Sequence, residues 1–371
     1  MTVHINCSGT PFQIGEQHGS KSKVEIQRSI IFYKALFLEK AKLDWQSAKN
    51  TAERFVPALN ATCPHLVTEM QGIAEGAGIE FLDILALNVR TEISMGLLSD
   101  GCTAVYSQES GLLAQNWDWE VPQRENLVVM NISTTPGSNI DKSSSPSQLV
   151  TITEAGMVAK VGLNSSGVGV CLNAIRARGV DYARLPVHIA LRLILESASR
   201  EEAVSRLEQV GVASACHILV ADGDGGVSGV ECSFAELQTL SADGDGFYTH
   251  TNHYLLQHSG PAGPIREAVL LPDSKIRLQR ANYLLRQQAD IAGRVTMDGV
   301  EKILEDEDNY PTAINREVSD QSPSATLFSV VMDLKGKTAR VTIGRPTEAI
   351  DKFKLAAAMS SKNDGHMCLC M

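Results

Sequence analysis

The side chains best suited to covalent chemistry fall in three short stretches: "DGCTAVYS" from Asp100, "QNWDWE" from Gln115 and "THTNHY" from Thr249. In the first, Cys102 follows Gly101 and opens a β-branched and aromatic run. Such a thiol can attack the carbonyl carbon of the residue before it. The N→S acyl shift gives a thioester, and water cleaves it, leaving Cys102 as a free N-terminus. The released α-amine has an ordinary pKa of about 7.7–8.0, beside a thiol of about 8.5. It can serve as general base for the thiol, directly or through a water, with no separate histidine. Glycine at 101 permits a strained backbone and leaves its carbonyl open to attack. Gly-Cys also reads as a plain turn into a strand, and a lone cysteine is more often core than catalyst.

Asp118 lies sixteen residues on, between Trp117 and Trp119, two of the three tryptophans in the chain. A hairpin returning from "SQESG" would bring it beside Cys102, where a carboxylate can hold the new ammonium or orient the amine. The same stretch also reads as an aromatic strand with one turn acid. Asn252 is expected at the end of a strand, between His250 and His253, and its amide near a nucleophile is an oxyanion donor. The H-x-x-H spacing on a strand end puts the two histidines on opposite faces, which argues against a metal site.

Composition narrows the class. The 371 residues are 43% hydrophobic, enough for a sizeable core, and the net charge is -10. An acidic surface disfavours nucleic acid or an anionic membrane as partner. No apolar run is long enough to span a bilayer. The start, "MTVHINCSGT", lacks the basic and apolar regions of a secretory signal, so a cytoplasmic location is expected. The eight cysteines (Cys7, Cys63, Cys102, Cys171, Cys216, Cys232, Cys368 and Cys370) include no C-x-x-C pair. Reduced, mostly buried thiols follow, with no zinc site.

The elements that must position these residues change in texture along the chain. The first hundred residues read as mainly helical, with Val24, Ile26, Ile30, Ile31, Tyr33, Ala35, Leu36 and Leu38 at helical spacing. A second helical block carries Met70, Ile73 and Ala74, then a Gly-rich break, then Phe81 to Ile93. From Cys102 short β-type runs are separated by Gly, Asn and Ser turns. "PGSNIDKSSSPSQ" is an exposed hairpin loop or insertion, and "PVHIALRLILESASREEAVSRLEQVG" is helical between Pro186 and Gly211. "DGDGG" and "LKGK" mark hairpin turns, and "DSKIRLQRANYLLRQQ" and "TMDGVEKILEDED" mark two more helices. Strands come in consecutive hairpins without βαβ alternation. The expected class is α+β, a single-domain four-layer α-β-β-α sandwich of antiparallel sheets with helices outside.

At this point the residues match a family. "GTPFQIGEQHGS", "DGCTAVY", "AQNWDW", "ITEAGMVAKVGLNSSGVGVCLNA", "LPVHIALRLILES", "HTNHYLLQH", "DEDNYP" and "ATLFSVVMD" closely resemble the fungal acyl-coenzyme A:6-aminopenicillanic-acid (isopenicillin N) acyltransferases. The similarity runs in order from near residue 4 to about residue 346. It implies the N-terminal-nucleophile hydrolase fold and a zymogen that cuts itself at Gly101–Cys102. Residues 1–101 would be released as a helical pro-segment. Residues 102–371 would form the catalytic subunit, and the two fragments would stay together as a heterodimer within one domain.

The resemblance further implies Cys102 as self-cleaving residue and nucleophile, Asp118 as the acid of the family's N-W-D motif and Asn252 as its oxyanion asparagine. Cys102 would take an acyl group from an acyl-CoA co-substrate or an amide and pass it to an amine such as 6-aminopenicillanic acid, a step of penicillin biosynthesis, with no bound cofactor. Two family serines fall on Ser233 and Ser322, as substrate-binding candidates. Arg316 also matches the family and supplies positive charge elsewhere in the pocket. Where the family has an Arg after the second serine, this chain has Pro323, and the glycines of that G-x-S-x-G segment are gone. Proline carries no cation and stiffens the loop. A stand-alone amidohydrolase, passing the acyl group of an N-acyl amine or peptide to water without CoA, is therefore the alternative. A third reading is a non-catalytic relative that keeps the fold. The end of the chain, Cys368-Leu369-Cys370-Met371, has the form of a prenylation box without a polybasic run, and reads as a frayed tail. The family's peroxisomal C-terminal tripeptide is absent.

Overall fold

The structure is a computed structural model that describes residues 2–94, 101–134, 146–268, 272–320 and 322–357. The cysteine tail and most of the "PGSNIDKSSSPSQ" segment lie outside the described residues. In chain order the strands are β1 (Val3–Gly9), β2 (Gly101–Ser107), β3 (Leu112–Glu120), β4 (Leu127–Thr134), β5 (Gln148–Glu154), β6 (Val161–Asn164), β7 (Gly169–Ala174), β8 (Cys216–Ala221), β9 (Val227–Cys232), β10 (Leu237–Leu240), β11 (Phe247–His250), β12 (His258–Gly260), β13 (Gly263–Ile265), β14 (Ser324–Asp333), β15 (Thr338–Ile343) and β16 (Asp351–Ala356). The helices are α1 (Pro11–Lys21), α2 (Lys23–Leu36), α3 (Trp45–Glu53), α4 (Val56–Thr62), α5 (Pro64–Ala77), α6 (Phe81–Asn88), α7 (Arg90–Ser94), α8 (Val187–Leu195), α9 (Arg200–Val210), α10 (Pro272–Ala292) and α11 (Met297–Leu304).

One sheet runs β1-β4-β5-β6-β7-β8-β9-β10, the other β11-β2-β3-β14-β15-β16. Their inner faces meet through β2, β3 and β7. Alternation along β2 decides which side each residue faces. Cys102, Ala104 and Tyr106 join the large core between the sheets, whereas Val105 joins a separate outer cluster with Leu284, Leu285, Ile303 and Leu304 of α10 and α11. The other helices cover the far side of the eight-stranded sheet. The layers are α-β-β-α, as expected.

Three expectations change. Residues 3–9 are not helical but form β1, which pairs in parallel with β4, so one sheet is not purely antiparallel. The Gly-rich break is found where it was expected: α5 ends at Ala77, Gly78 takes the left-handed conformation as its C-cap, and α6 begins at Phe81. Gly72 and Gly76 sit inside α5, and with Gly15 and Gly19 of α1 they bring the two helix backbones together. A Cβ at any of these four would fall 1.9–2.3 Å from a backbone oxygen of the other helix, so close packing outweighs the helix propensity cost of glycine. The "PVHIALRL" stretch is two helices, because Ser199 caps α9 by accepting the Glu202 N–H. In α2 the helical pattern holds for Ile26, Ile30, Tyr33 and Leu36, while Val24 and Ile31, and Leu38 just beyond the helix, are exposed.

Candidate active site

Sheet register builds the site. β2 and β3 are antiparallel with Gly101 opposite Asp118 and Cys102 opposite Trp117. β3 and β14 place Asp118 opposite Thr326. On the other side β11 pairs with β2 up to His250 opposite Ala104. Two residues further in the same register, Asn252 reaches Cys102, and its Oδ1 accepts the Cys102 backbone N–H at 2.8 Å. Its Nδ2 donates to the Ala174 carbonyl at 3.0 Å, leaving one amide proton for an oxyanion.

Asp118 and Gly101 share the outward side of the sheet, so Asp118 faces Gly101 rather than the Cys102 thiol. Gly101 is not in the left-handed region. The expected backbone strain is therefore not why glycine stands here. A Cβ at this position would lie 2.5 Å from Arg316 Nε and 2.9 Å from Asp118 Oδ2. Glycine is needed because two charged side chains close over it. Arg316 Nε donates to Asp118 Oδ2 at 3.3 Å, and Thr326 Oγ1 donates to Asp118 Oδ1 at 2.7 Å. Burial pushes the Asp118 carboxyl up to about 7, against the pull of Arg316 and Arg277.

Three site residues escape a reading of the sequence. The first turns of α10 supply Asp273, Ser274 and Arg277. Arg277 Nη1 donates to the Cys102 carbonyl at 2.8 Å and to Thr103 Oγ1 at 3.1 Å, and its Nη2 donates to Asn252 Oδ1 at 2.9 Å. Asp273 accepts from Arg277 Nε at 3.1 Å and from Arg316 Nη2. Burial and the nearby Arg316 lower the Arg277 pKa, and the Asp273 and Asp118 carboxylates oppose them. Ser274 Oγ accepts the Asn252 N–H at 2.8 Å and touches His253 Nδ1 at 2.7 Å. The chain Asn252–Arg277–Asp273–Arg316–Asp118 thus encircles the Gly101–Cys102 bond. Asp273 and Arg277 are spaced i,i+4, which in sequence reads as an ordinary exposed helix pair.

A buried brace holds the Asn252 loop. Glu231 of β9 accepts from His250 Nε2 at 2.8 Å, from His258 Nε2 at 3.3 Å, and from the Leu255 and Leu256 N–H groups at 2.6 and 3.0 Å. His250 Nδ1 meets the Thr251 carbonyl at 2.9 Å. Both ring nitrogens of His250 face acceptors. Burial opposes ionisation of Glu231, but these hydrogen bonds hold it down to about 2. His217 stacks on His250 with ring centroids 3.5 Å apart, and His250 and His253 centroids lie 6.4 Å apart. The two histidines are not on opposite faces, because the strand stops at His250 and the alternation ends there. Among the described residues no group of three or more His, Cys, Asp or Glu is arranged to hold a metal ion, and no helix is long and apolar enough to cross a membrane.

The remaining candidates lie apart. Ser233 is buried in the turn between β9 and β10, where its Oγ accepts the Glu236 N–H at 3.0 Å and donates to the Glu236 carbonyl at 3.1 Å. Ser322 closes a short turn with Ser319 before β14, and its Oγ accepts the Ser324 N–H at 3.4 Å. Arg316 does not serve elsewhere in the pocket; it lies directly on Gly101 and Asp118.

The fold is an α+β four-layer sandwich, and Cys102 is the second residue of one of its inner strands. The chain belongs to the acyl-coenzyme A:6-aminopenicillanic acid acyl-transferase family, whose sequence profile matches residues 106–348. It is 38% identical over 357 residues to the acyl-coenzyme A:6-aminopenicillanic-acid-acyltransferase 40 kDa form of Emericella nidulans, covering 95% of each chain. Among solved structures, a mutant conjugated bile acid hydrolase from Clostridium perfringens matches at 13% identity and TM-score 0.49, covering 70% of this chain and 92% of that one. A penicillin V acylase from Agrobacterium tumefaciens matches at 15% identity and TM-score 0.41, covering 66% and 82%.

Proposed function

We propose that this protein is a self-cleaving acyltransferase in which Cys102 is both the cutting residue and the acyl carrier. The observation that carries the reading is the ring of Asn252, Arg277, Asp273, Arg316 and Asp118 around one peptide bond, Gly101–Cys102. In the first reaction the Cys102 thiol attacks the Gly101 carbonyl carbon. The C–N bond breaks, the proton passes to the Cys102 nitrogen, and water hydrolyses the thioester. The new α-amine keeps Asn252 Oδ1 as its partner and becomes general base for the thiol. Departure of the residue 101 end vacates the space that Gly101 fills beneath Arg316 and Asp118. There a substrate carbonyl can be attacked by the thiol, with the free Asn252 amide proton and nearby guanidinium groups stabilising the oxyanion. The tetrahedral intermediate collapses by expelling the donor's thiol or amine, which takes the proton held by the α-amine, and an acceptor amine then attacks the thioester, releasing the Cys102 thiol as the acceptor's proton passes back through the α-amine.

Acyl-CoA as donor and 6-aminopenicillanic acid as acceptor are proposed from the family. The fragment 2–94 stays bound, because β1 is a strand of the eight-stranded sheet and α1–α7 share the main core. A second reading, hydrolysis of an N-acyl amine by water without CoA, is favoured by one departure, Pro323 where the family carries a cation.

Gel electrophoresis and mass spectrometry test the first step. Wild type should yield fragments 1–101 and 102–371, and Cys102→Ala one intact chain; an uncut wild type overturns the mechanism. Incubating processed protein with 6-aminopenicillanic acid and phenylacetyl-CoA separates the two readings: benzylpenicillin means transfer, free phenylacetate means hydrolysis.

A further inference from the structure

Beyond Ala174, whose carbonyl binds the Asn252 amide, the chain runs along the segment that follows β13. Ala177 and Glu267 form an antiparallel bridge, and the Ala268 N–H donates to the Arg176 carbonyl at 2.6 Å. The next pair in that register is Arg178 opposite Arg266. Both arginines line an open cleft of about 450 Å³, with Phe234, Pro264, Ile265 and Ala268 on its walls. That volume is in the range of small-molecule sites. Gly179 and Gly260 let their backbones close on the Phe234 ring, since a Cβ there would lie 2.1 and 3.4 Å from it.

Like charges at directly opposed strand positions repel. Neither guanidinium has a carboxylate partner among the described residues, although the chain is acidic overall. The neighbouring acids are otherwise engaged: Glu267 accepts the Tyr254 N–H at 2.7 Å, and Glu236 accepts the Ser259 N–H at 2.7 Å. Two unpaired arginines held side by side form a fork for an anion with several oxygens. The cleft also lies near the chemistry. Arg178 is four residues beyond Ala174, within about 14 Å of backbone, and Glu267 holds the loop two residues past Asn252.

We infer that this cleft, through Arg178 and Arg266, binds the anionic end of a substrate whose acyl or amine end reaches Cys102. The inference rests on the acyl-transfer reading for the reaction but not for the binding. The anion is either a phosphate of a CoA thioester or the carboxylate of an amide or β-lactam substrate. Apolar walls then take the uncharged part of the same molecule.

The test is equilibrium titration of the processed protein with coenzyme A and, separately, with 6-aminopenicillanic acid. Arg178→Ala/Arg266→Ala should weaken one of them at least tenfold, and the affected ligand names the source of the anion. Arg178→Lys/Arg266→Lys should recover part of the affinity and leave it salt-dependent. The thermal midpoint of each variant reports whether it is folded, and the charge-retaining pair gives a reading if the alanine pair is not. The inference is overturned if the alanine pair binds both ligands as wild type does, or if wild type binds neither. A wild type that binds coenzyme A yet turns over no substrate overturns the acyl-transfer reading and leaves the cleft standing.

Discussion

Asn252 Oδ1 accepts two donors at once, the Cys102 backbone N–H at 2.8 Å and Arg277 Nη2 at 2.9 Å. An asparagine amide can flip by half a turn at little intrinsic cost. Arg277 prevents this, because flipping would point Nδ2 at a guanidinium and lose the bond to the Ala174 carbonyl. The arginine therefore fixes which end of Asn252 meets the nitrogen that becomes the α-amine. It also fixes the strand itself, through the Cys102 carbonyl.

Arg277→Met should slow appearance of the two fragments by about 10–100-fold, since hydrogen bonds to charged groups are worth about 1.5–3 kcal/mol. Arg277→Lys should fall between, because one ammonium does not span the Cys102 carbonyl and Asn252 as the fork does. Time courses on denaturing gels read both; a Met variant that processes at the wild-type rate would remove Arg277 from the site.

Gly101→Ala tests the contact over the scissile bond. The added methyl meets Arg316 Nε and Asp118 Oδ2 below van der Waals distance, and overpacking of a buried site costs about 1–3 kcal/mol. In an uncut Cys102→Ala background the substitution should lower the thermal midpoint by about 1–4 °C, at about 1.3 °C per kcal/mol for a chain of this size. In the active chain it should also slow cleavage, because Arg316 and Asp118 must part to admit the methyl.

The parts of this site visible in the sequence are those set by local pattern. Cys102 at a strand start, Asp118 on the returning strand and Asn252 at a strand end all follow from alternation and turn residues. The outer helix was legible too, but not what its first turns touch. Asp273, Ser274 and Arg277 belong to a polar run with ordinary i,i+4 spacing, and only the packing of α10 across β2 and β11 turns them inward. β1 does alternate, with Val3, Ile5 and Cys7 against His4, Asn6 and Ser8, but the run is short, it leads straight into a long helical block, and its partner β4 lies more than a hundred residues away. The close approach of α1 and α5 at Gly15, Gly19, Gly72 and Gly76 is not legible in the sequence, because propensity is local while the backbone contact that requires these glycines is not.

Glu231 should matter for stability before it matters for chemistry. Its carboxyl is held near 2 in the fold against an ordinary value of about 4.3. A depressed carboxylate contributes stability above its unfolded pKa, and the contribution is lost as pH falls through the folded one. Wild type should lose thermal stability between about pH 4.5 and 2. Glu231→Gln should already be less stable at pH 7, by about 1.5–3 kcal/mol for lost hydrogen bonds to a charged group, and its midpoint should fall less over the acid range. A midpoint for Glu231→Gln equal to wild type at pH 7 would show that the brace carries no load.

Asp118 carries the opposite sign. Burial raises its pKa to about 7, so the folded chain favours the protonated form. Its stability contribution is greatest below an unfolded pKa of about 3.9 and is lost as pH rises through about 7. Chemistry runs the other way if the carboxylate is the working form, as it must be to hold the new ammonium. Processing and turnover should then rise with pH through an inflection near 7, while the thermal midpoint of the uncut Cys102→Ala chain falls between about pH 4 and 7 and levels off above. Asp118→Asn keeps the shape and the Thr326 contact but cannot ionise. It should abolish both trends together and cut the rate at pH 8 by about 10²-fold, in the range of losing a positioned acid–base group. An inflection near pH 7 that survives Asp118→Asn would assign it to another group, with the α-amine of processed Cys102 first in line.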